Sequence, residues 1–429
     1  MNRKRVLSIL IASLMLVAML APLGANAQDS ELSGQLEVFT WWAGDEGPAL
    51  EALLALYSTQ HPNVEVINAA VSGGSGTNAR AVLKTRMLGG QPPDTFQVHA
   101  GQELIGTWVV ANRMEDLTFL FEDQGWFDTF PQGLIDLLSY DGGIYSVPVN
   151  IHRSNVLWYS PANLEAWGVE VPATWDDFLA VCPTLQEAGV IPLSIGEAWT
   201  VNHLWESVAL GVLGPDNWGA LWSGDLDPAG EEMVAVWDTF NAVLSCSNFD
   251  DDAASLSWQQ ATDLVVSGDA AFNVMGDWAA GYMTAVLELV PGEDYGWAAS
   301  PGTGGVYMML SDSFGLPIGA PNRDNVIAWL ELLGSVEGQD AFNSLKGSVP
   351  ARIDANVSNT DLYNAYLQSA AVDWADNTIV GSLVHGVVAN ERFMNDFSAV
   401  IEIATTSRDS SAASAAMYAV CAQTGACGG

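Results

Sequence analysis

Leu36-Glu37-Val38-Phe39-Thr40, then Pro48 to Gln60, then Val64-Glu65-Val66-Ile67-Asn68 is the stretch that decides the fold class. The outer segments are short, apolar and rich in β-branched residues, so they read as strands. The middle one has helical periodicity, with Pro48 suited to an early helical position. Beyond it a glycine loop, Ser72 to Gly76, leads into a second amphipathic segment from Asn78 to Leu88. Asp94 to Val98 follows the Pro92-Pro93 stop as a third strand. Strands alternating with helices specify βαβ units and a parallel sheet.

Further along, Tyr145-Ser146-Val147-Pro148-Val149-Asn150 reads as β-rich after the Asp141-Gly142-Gly143 turn. Helical segments resume at Pro161 to Trp167 and Thr174 to Ala188, and Trp- and Ala-rich runs continue to Leu244. A turn-rich stretch from Ser300 to Gly305 precedes the apolar strand Val306 to Leu310. The two β-rich stretches are the natural connections between lobes, so the expected architecture is two α/β lobes joined by more than one crossing. In open α/β sheets ligands sit beyond the carboxyl ends of the strands, which makes the cleft between lobes the default site.

The 429 residues are too many for one compact module and comfortable for two. With 17 Trp and a mean hydropathy of +0.18, the chain is not a disordered one. Its 13 Lys+Arg face 51 Asp+Glu, for a net charge of -38. That excludes a basic face for nucleic acid and disfavours an anionic membrane surface. Residues 1–27 read as an export signal: Asn2-Arg3-Lys4-Arg5 is positive, Val6 to Leu20 is apolar, and Ala25-Asn26-Ala27 has the form of a cleavage site. No Cys follows the triplet, so a lipid anchor is not expected, and the mature protein is placed in the periplasm or outside the cell. In that oxidising setting the 4 cysteines read as disulfides, for which three connectivities exist. Cys421 and Cys427 are close enough to clip the tail, leaving Cys182 and Cys246 to tie two helices. No CxxC and no nearby His supports a metal, and no cofactor is expected.

Gly74-Ser75-Gly76-Thr77-Asn78-Ala79 matches GxGxxA, the form of a dinucleotide loop. The acidic partner should end the next strand, whereas Asp94 begins it, so a tight turn into a helix explains the glycines better. His61, His99, His152, His203 and His385 include no HExxH, and there is no GxSxG elbow. A glycosidase pair drawn from Glu46, Asp277 and Asp312 stays open on composition. Trp41-Trp42 directly follows the first strand, and neighbours on a strand point to opposite faces, so joint burial in one core is not expected. Indole faces flanked by polar groups suit a sugar, whose C–H face stacks and whose hydroxyls bond at the edges. Trp258 and Trp278 invite the same reading, while most of the other Trp, in helical runs, are assigned to the core. Beyond the signal only Lys84 and Lys346 remain as lysines. Lys84 reads as a solvated residue on a helix. Lys346 sits in a turn-like segment, either as a counter-ion to a carboxylate or as a donor to an oxygen-rich ligand.

Segments 36–53 (LEVFTWWAGDEGPALEAL), 81–101 (AVLKTRMLGGQPPDTFQVHAG), 146–159 (SVPVNIHRSNVLWY), 256–263 (LSWQQATD), 270–283 (AAFNVMGDWAAGYM), 308–317 (MMLSDSFGLP), 345–352 (LKGSVPAR) and 379–386 (IVGSLVHG) together carry a resemblance. The chain resembles the extracellular solute-binding proteins of bacterial ABC importers, in the class that includes maltose-binding protein. Within it the chain is most similar to glucose/galactose-binding members from thermophilic bacteria. The resemblance implies a two-lobed periplasmic-binding-protein fold of the maltose-binding type, α/β, with a hinge and an inter-lobe cleft. The lobes would be 28–147 with 308–348, and 150–305 with 349–429. It implies capture of a monosaccharide, glucose or galactose, by a monomer that delivers it to the transmembrane subunits of a permease, with no catalysis. A disaccharide receptor and a secreted hydrolase are the alternatives. The implied sugar contacts are Trp41, Trp42 and Glu46 on the first loop, Gln97 and His99 at a cleft strand, and Trp258 and Trp278 opposite. Asp312, Lys346 and His385 complete the implied set as readers of hydroxyls.

Overall fold

The structure, a computed structural model, describes residues 32–428 apart from 75 and 252, so the signal segment lies outside the described residues. Along the chain run β1 (Gly34–Thr40), α1 (Gly47–Gln60), β2 (Val64–Ala70), α2 (Thr77–Leu88) and β3 (Thr95–His99). Then come β4 (Ser146–Pro148), β5 (His152–Arg153), β6 (Val156–Tyr159), α3 (Trp175–Glu187), β7 (Ile191–Ser194), α4 (Ala198–Ser223) and α5 (Glu231–Leu244). After them lie α6 (Trp258–Ser267), β8 (Ala270–Val274), α7 (Trp278–Gly281), β9 (Gly296–Ala299), β10 (Val306–Leu310) and β11 (Asp312–Gly315). The last labelled elements are α8 (Val336–Lys346), β12 (Thr378–Gly381), α9 (Glu391–Ser407) and α10 (Ser410–Thr424).

These strands form two lobe sheets and a smaller sheet between them. The first has the order β2-β1-β3-β11-β4 and the second β9-β6-β8-β7. The βαβ signal holds where it was read, because β1 pairs in parallel with both β2 and β3. The wholly parallel sheet does not: β11 runs antiparallel to β3 and to β4. The second sheet is mixed too, with β8 parallel to β7 but antiparallel to β6. The third sheet has the order β12-β10-β5. There β10 and β11 are separated by Ser311 alone, so one run of chain serves two sheets. Ile151 and Val349 exchange backbone hydrogen bonds of 2.8 and 3.0 Å beside it.

Each lobe sheet buries its apolar positions under helices. In α1, Ala49, Leu50, Leu53 and Tyr57 recur at helical spacing and are all buried against Leu36, Val38 and Phe39. The second lobe packs Phe178, Trp205, Trp237, Phe240, Phe272 and Phe397 into a separate core. Complete burial of such side chains is worth about 1.5–3 kcal/mol apiece, the term that opposes chain entropy. α3 opens with a capping box in which Thr174 and Asp177 satisfy each other's backbone N–H. Among the described residues no helix is long and apolar enough to cross a membrane.

Cys182 on α3 is joined to Cys246 just past α5, and Cys421 to Cys427 at the end of α10. The first bridge spans 64 residues in sequence and the second only 6, so the first restrains the unfolded chain more. Replacing both Cys182 and Cys246 with Ser should lower the urea stability of the second lobe by about 2–4 kcal/mol. The Cys421→Ser/Cys427→Ser variant should lose less; equal losses would contradict the loop-length account.

Candidate ligand-binding site between the lobes

The carboxyl ends of β1 and β3 meet the second lobe at one small chamber. Its walls are Trp41, Trp42, Glu46, His99, His152, Trp258, Trp278, Leu310, Asp312, Lys346 and His385. Of the ten implied sugar contacts, Gln97 alone stands behind this wall. Its amide N–H donates to Asp312 Oδ1 at 2.7 Å, and its carbonyl accepts from the Thr40 hydroxyl and from the Trp41 backbone N–H at 3.3 Å. Gln97 therefore ties the tryptophan loop to the chamber's carboxylate.

Strand register brings Asp312 opposite His99. Asp312 is 2 % exposed and accepts from Asn150 Nδ2 at 2.9 Å as well as from Gln97. His99 Nε2 lies 3.7 Å and His152 Nε2 3.4 Å from its two oxygens. Burial opposes ionisation, but His152, His99 and Lys346 outweigh it and hold the Asp312 carboxyl well below its ordinary range. His152 stands between two carboxylates, with Nδ1 donating to Asp277 and Nε2 turned to Asp312. Burial works against its proton, yet the two acids keep the imidazole above its usual pKa. Asp277 is fully buried and also accepts from the Arg153 backbone N–H at 2.9 Å. Its oxygens are held by the protein, which leaves it unsuited to the hydrolase pairing considered from composition.

Trp42 and Trp41 are 1 % and 7 % exposed, so the expectation that consecutive Trp could not share one core is overturned. The strand ends at Thr40, which frees the next two residues from alternation. Trp42 packs 4.6 Å from Phe342 and 5.7 Å from Phe314, while Trp41 lies 5.0 Å from His99 with Arg80 5.6 Å over its ring. Lys346 is also corrected. It is not in a turn but is the last residue of α8, stopped by Gly347 at φ +86. A Cβ on Gly347 would sit 2.5 Å from the Asp277 carbonyl oxygen. Lys346 Nζ donates to Glu46 Oε1 at 2.6 Å and lies 5.6 Å over the Trp42 ring. The counter-ion role is thus present in the structure, inside the chamber wall itself. Lys84 is half exposed and reaches Glu391 on α9 at 3.4 Å.

On the far wall Trp278 begins α7 and Trp258 begins α6, the latter fixed by the Ser257–Gln260 capping box. Trp278 touches His385 at 5.0 Å, His152 at 5.5 Å and His203 at 5.8 Å between ring centres. A larger groove of about 360 Å³ adjoins the chamber, sharing His99 and His385 and adding Arg80, Glu103, Trp199 and Asn202. The chamber itself has only about 20 Å³ of open space, far less than the groove beside it. His152 and Trp199 were missed in the sequence. In the sequence His152 appears only as one of five histidines without a metal motif, and Trp199 lies in a helical run that reads as core.

His203, Glu206 and His385 offer ligand atoms within 4.8 Å of one another, the arrangement a metal would need. Glu206 is already saturated: it accepts from Ser154 Oγ at 2.5 Å, Ser382 Oγ at 2.9 Å, Leu383 N at 2.8 Å and Val384 N at 3.0 Å. The trio is therefore a hydrogen-bond network. Burial pushes the His203 imidazole down to about 4. A depressed histidine costs stability as pH falls below its unfolded value of about 6.5, and the cost grows until the folded value is reached. Relative to His203→Gln, the wild type should lose about 2 kcal/mol between pH 7 and pH 5 in urea titrations. Parallel pH profiles for the two proteins would show that His203 is not the buried neutral group described.

Comparison with known proteins follows the same outline. Residues 42–340 match the family described as Bacterial extracellular solute-binding protein. An ABC transporter extracellular-binding protein of Pyrococcus horikoshii is 32% identical over 95% of this chain and 94% of its own. A "Probable sugar-binding periplasmic protein" of Rhizobium meliloti is 31% identical over 90% of each chain. Among solved structures, the bacterial solute receptor AcbH, titled for its exclusive preference for β-D-galactopyranose, superposes with a TM-score of 0.79. It is 17% identical, with 91% of this chain and 99% of that chain covered, a likeness that concerns the fold. The fold is the two-lobed, maltose-binding type of mixed α/β structure.

Proposed function

The chain belongs to the bacterial extracellular solute-binding proteins, and from that membership we propose that it is the sugar receptor of an ABC importer, closing on one hexose, glucose or galactose. The family is one of binding proteins and not of enzymes, so the hydrolase reading is set aside. The observation that carries the proposal is the chamber wall. Four indoles, Trp41, Trp42, Trp258 and Trp278, surround a set of ionic groups, Glu46, Asp312 and Lys346. Indole faces accept the C–H surface of a pyranose, and ionic groups bond its hydroxyls.

The energetics are within reach. A hexose has about 12 heavy atoms, and micromolar affinity takes about −8.2 kcal/mol, or roughly −0.7 per atom against a ceiling of about −1.5. Each hydroxyl taken from water must find a partner, and a hydrogen bond to a charged group contributes about 1.5–3 kcal/mol. An uncharged ligand is little affected by the net charge of -38. The protein would act as a monomer, exported by the segment 1–27, and hand the sugar to the permease's transmembrane subunits.

The adjoining groove of about 360 Å³ favours a second reading, a disaccharide whose first ring fills the chamber and whose second lies between α2 and α9. Calorimetry on glucose, galactose and a panel of disaccharides separates the two. The first reading expects micromolar binding of a monosaccharide and weaker binding of every disaccharide. Tightest binding of a disaccharide would replace it, and heat from no sugar would end both. Lys346→Ala should weaken hexose binding by about 1.5–3 kcal/mol, because it removes a charged donor and strands Glu46. An unchanged dissociation constant would reduce Lys346 to a counter-ion.

A further inference from the structure

Glu206 lies in α4 with 0 % exposure, away from the chamber wall, yet it controls a residue that forms that wall. Its Oε2 accepts the backbone N–H groups of Leu383 and Val384, and its Oε1 accepts the Ser154 hydroxyl. Backbone amides can only donate, so Oε2 is fixed as an acceptor. Burial raises the Glu206 pKa and these hydrogen bonds oppose the shift; with the carboxylate ionised, the Ser382 hydroxyl, 3.1 and 2.9 Å from its two oxygens, gives its one proton there. Ser382 Oγ is then left to accept, which it does from the His385 backbone N–H at 3.3 Å and from His385 Nδ1 at 2.9 Å. A neutral imidazole has one ring proton, and here Nδ1 needs it. That arrangement would leave Nε2 on the other side of the ring as a lone pair; it is buried and has no hydrogen-bond partner among the described residues.

That ring lines both the chamber and the groove. The loop bearing it is docked on the first lobe, where the Glu103 N–H donates to the Gly386 carbonyl at 2.8 Å and the Gln102 N–H to the Val387 carbonyl at 3.2 Å. We propose that Glu206 and Ser382 are positioning residues that fix the His385 tautomer, so that Nε2 meets the sugar as an acceptor and reads one hydroxyl as a donor. The inference rests on the sugar reading above and names how one wall of that site selects its ligand. His385 must stay neutral for the role. The groups around it are His203 and Glu206 from α4, His99 at the end of β3, Glu103 in the turn after it, Arg80 from α2, Asp312 from β11, Lys346 from α8 and His152 from β5. Burial, with the nearby His99 and His203 rings, keeps the His385 imidazole well below its ordinary pKa.

Nitrogen-15 NMR of the histidine rings at neutral pH tests the tautomer directly. The His385 signals should show a protonated Nδ1 and an unprotonated Nε2. In binding assays with monodeoxy hexoses, one position should cost the wild type about tenfold in affinity, as for one lost hydrogen bond. Ser382→Ala should weaken the parent hexose by a similar factor and erase the penalty at that position, and Ser382→Thr, which keeps the hydroxyl, should restore both. A protonated Nε2 in the wild type would overturn the inference. So would Ser382→Ala binding within twofold with an unaltered deoxy pattern. If the wild type binds no hexose, the sugar reading fails, while the NMR result still decides the tautomer on its own.

Discussion

A carboxylate with almost no access to water cannot stand alone, and Asp312 is that carboxylate. Its partners come from far apart in the chain: Gln97 and His99 on β3, Asn150 before β5, His152 on β5, and the charge of Lys346 at the end of α8. Satisfying one buried charge thus fixes the register of β11 on β3, the course of the chain between the two large sheets, and the far end of α8. Gln97 extends the constraint to the backbone of Trp41. The same residues that make Asp312 tolerable form the chamber, so its walls are held in place by the requirement to pair that charge.

Few cations are available to do this. Beyond the signal segment the bases are few, with Arg80, Lys84 and Arg86 grouped on α2, and most are committed to a specific acid: Arg86 to Glu37, Arg153 to Asp373, Arg323 to Glu115, Arg352 to Asp354 and Lys346 to Glu46. The more exposed pairs among them, such as Arg323–Glu115, contribute little to stability. The Lys346–Glu46 pair is set apart by its place in the chamber wall, with Lys346 6 % exposed against the face of Trp42. Breaking it leaves a partly buried carboxylate in the chamber wall.

What could be read from the sequence was local. The early strands and helices declare themselves through periodicity and the Pro92-Pro93 stop, and β1, α1, β2 and α2 fall within a residue or two of the expected bounds. The antiparallel return of β11 could not be seen, because Asp312 pairs with His99 across more than two hundred residues and no local pattern records that. Lys346 reads as a turn because the Gly347-Ser348-Val349-Pro350 sequence after it signals a break, although α8 runs up to Lys346 itself. The site residues were legible chiefly through resemblance. Glu206 carried no signal of its own: a lone acid in an apolar helical run looks like a surface residue until the fold closes a loop over it.

The account turns on one guest being gripped from both sides. A crystal structure of the complete protein grown with the hexose it binds most tightly tests this most directly. The sugar ring should lie against Trp42 and Trp278, with hydroxyls in hydrogen-bond reach of Asp312, Lys346 and His385. A sugar found only in the groove beside α2 and α9, or touching residues of a single lobe, would contradict it.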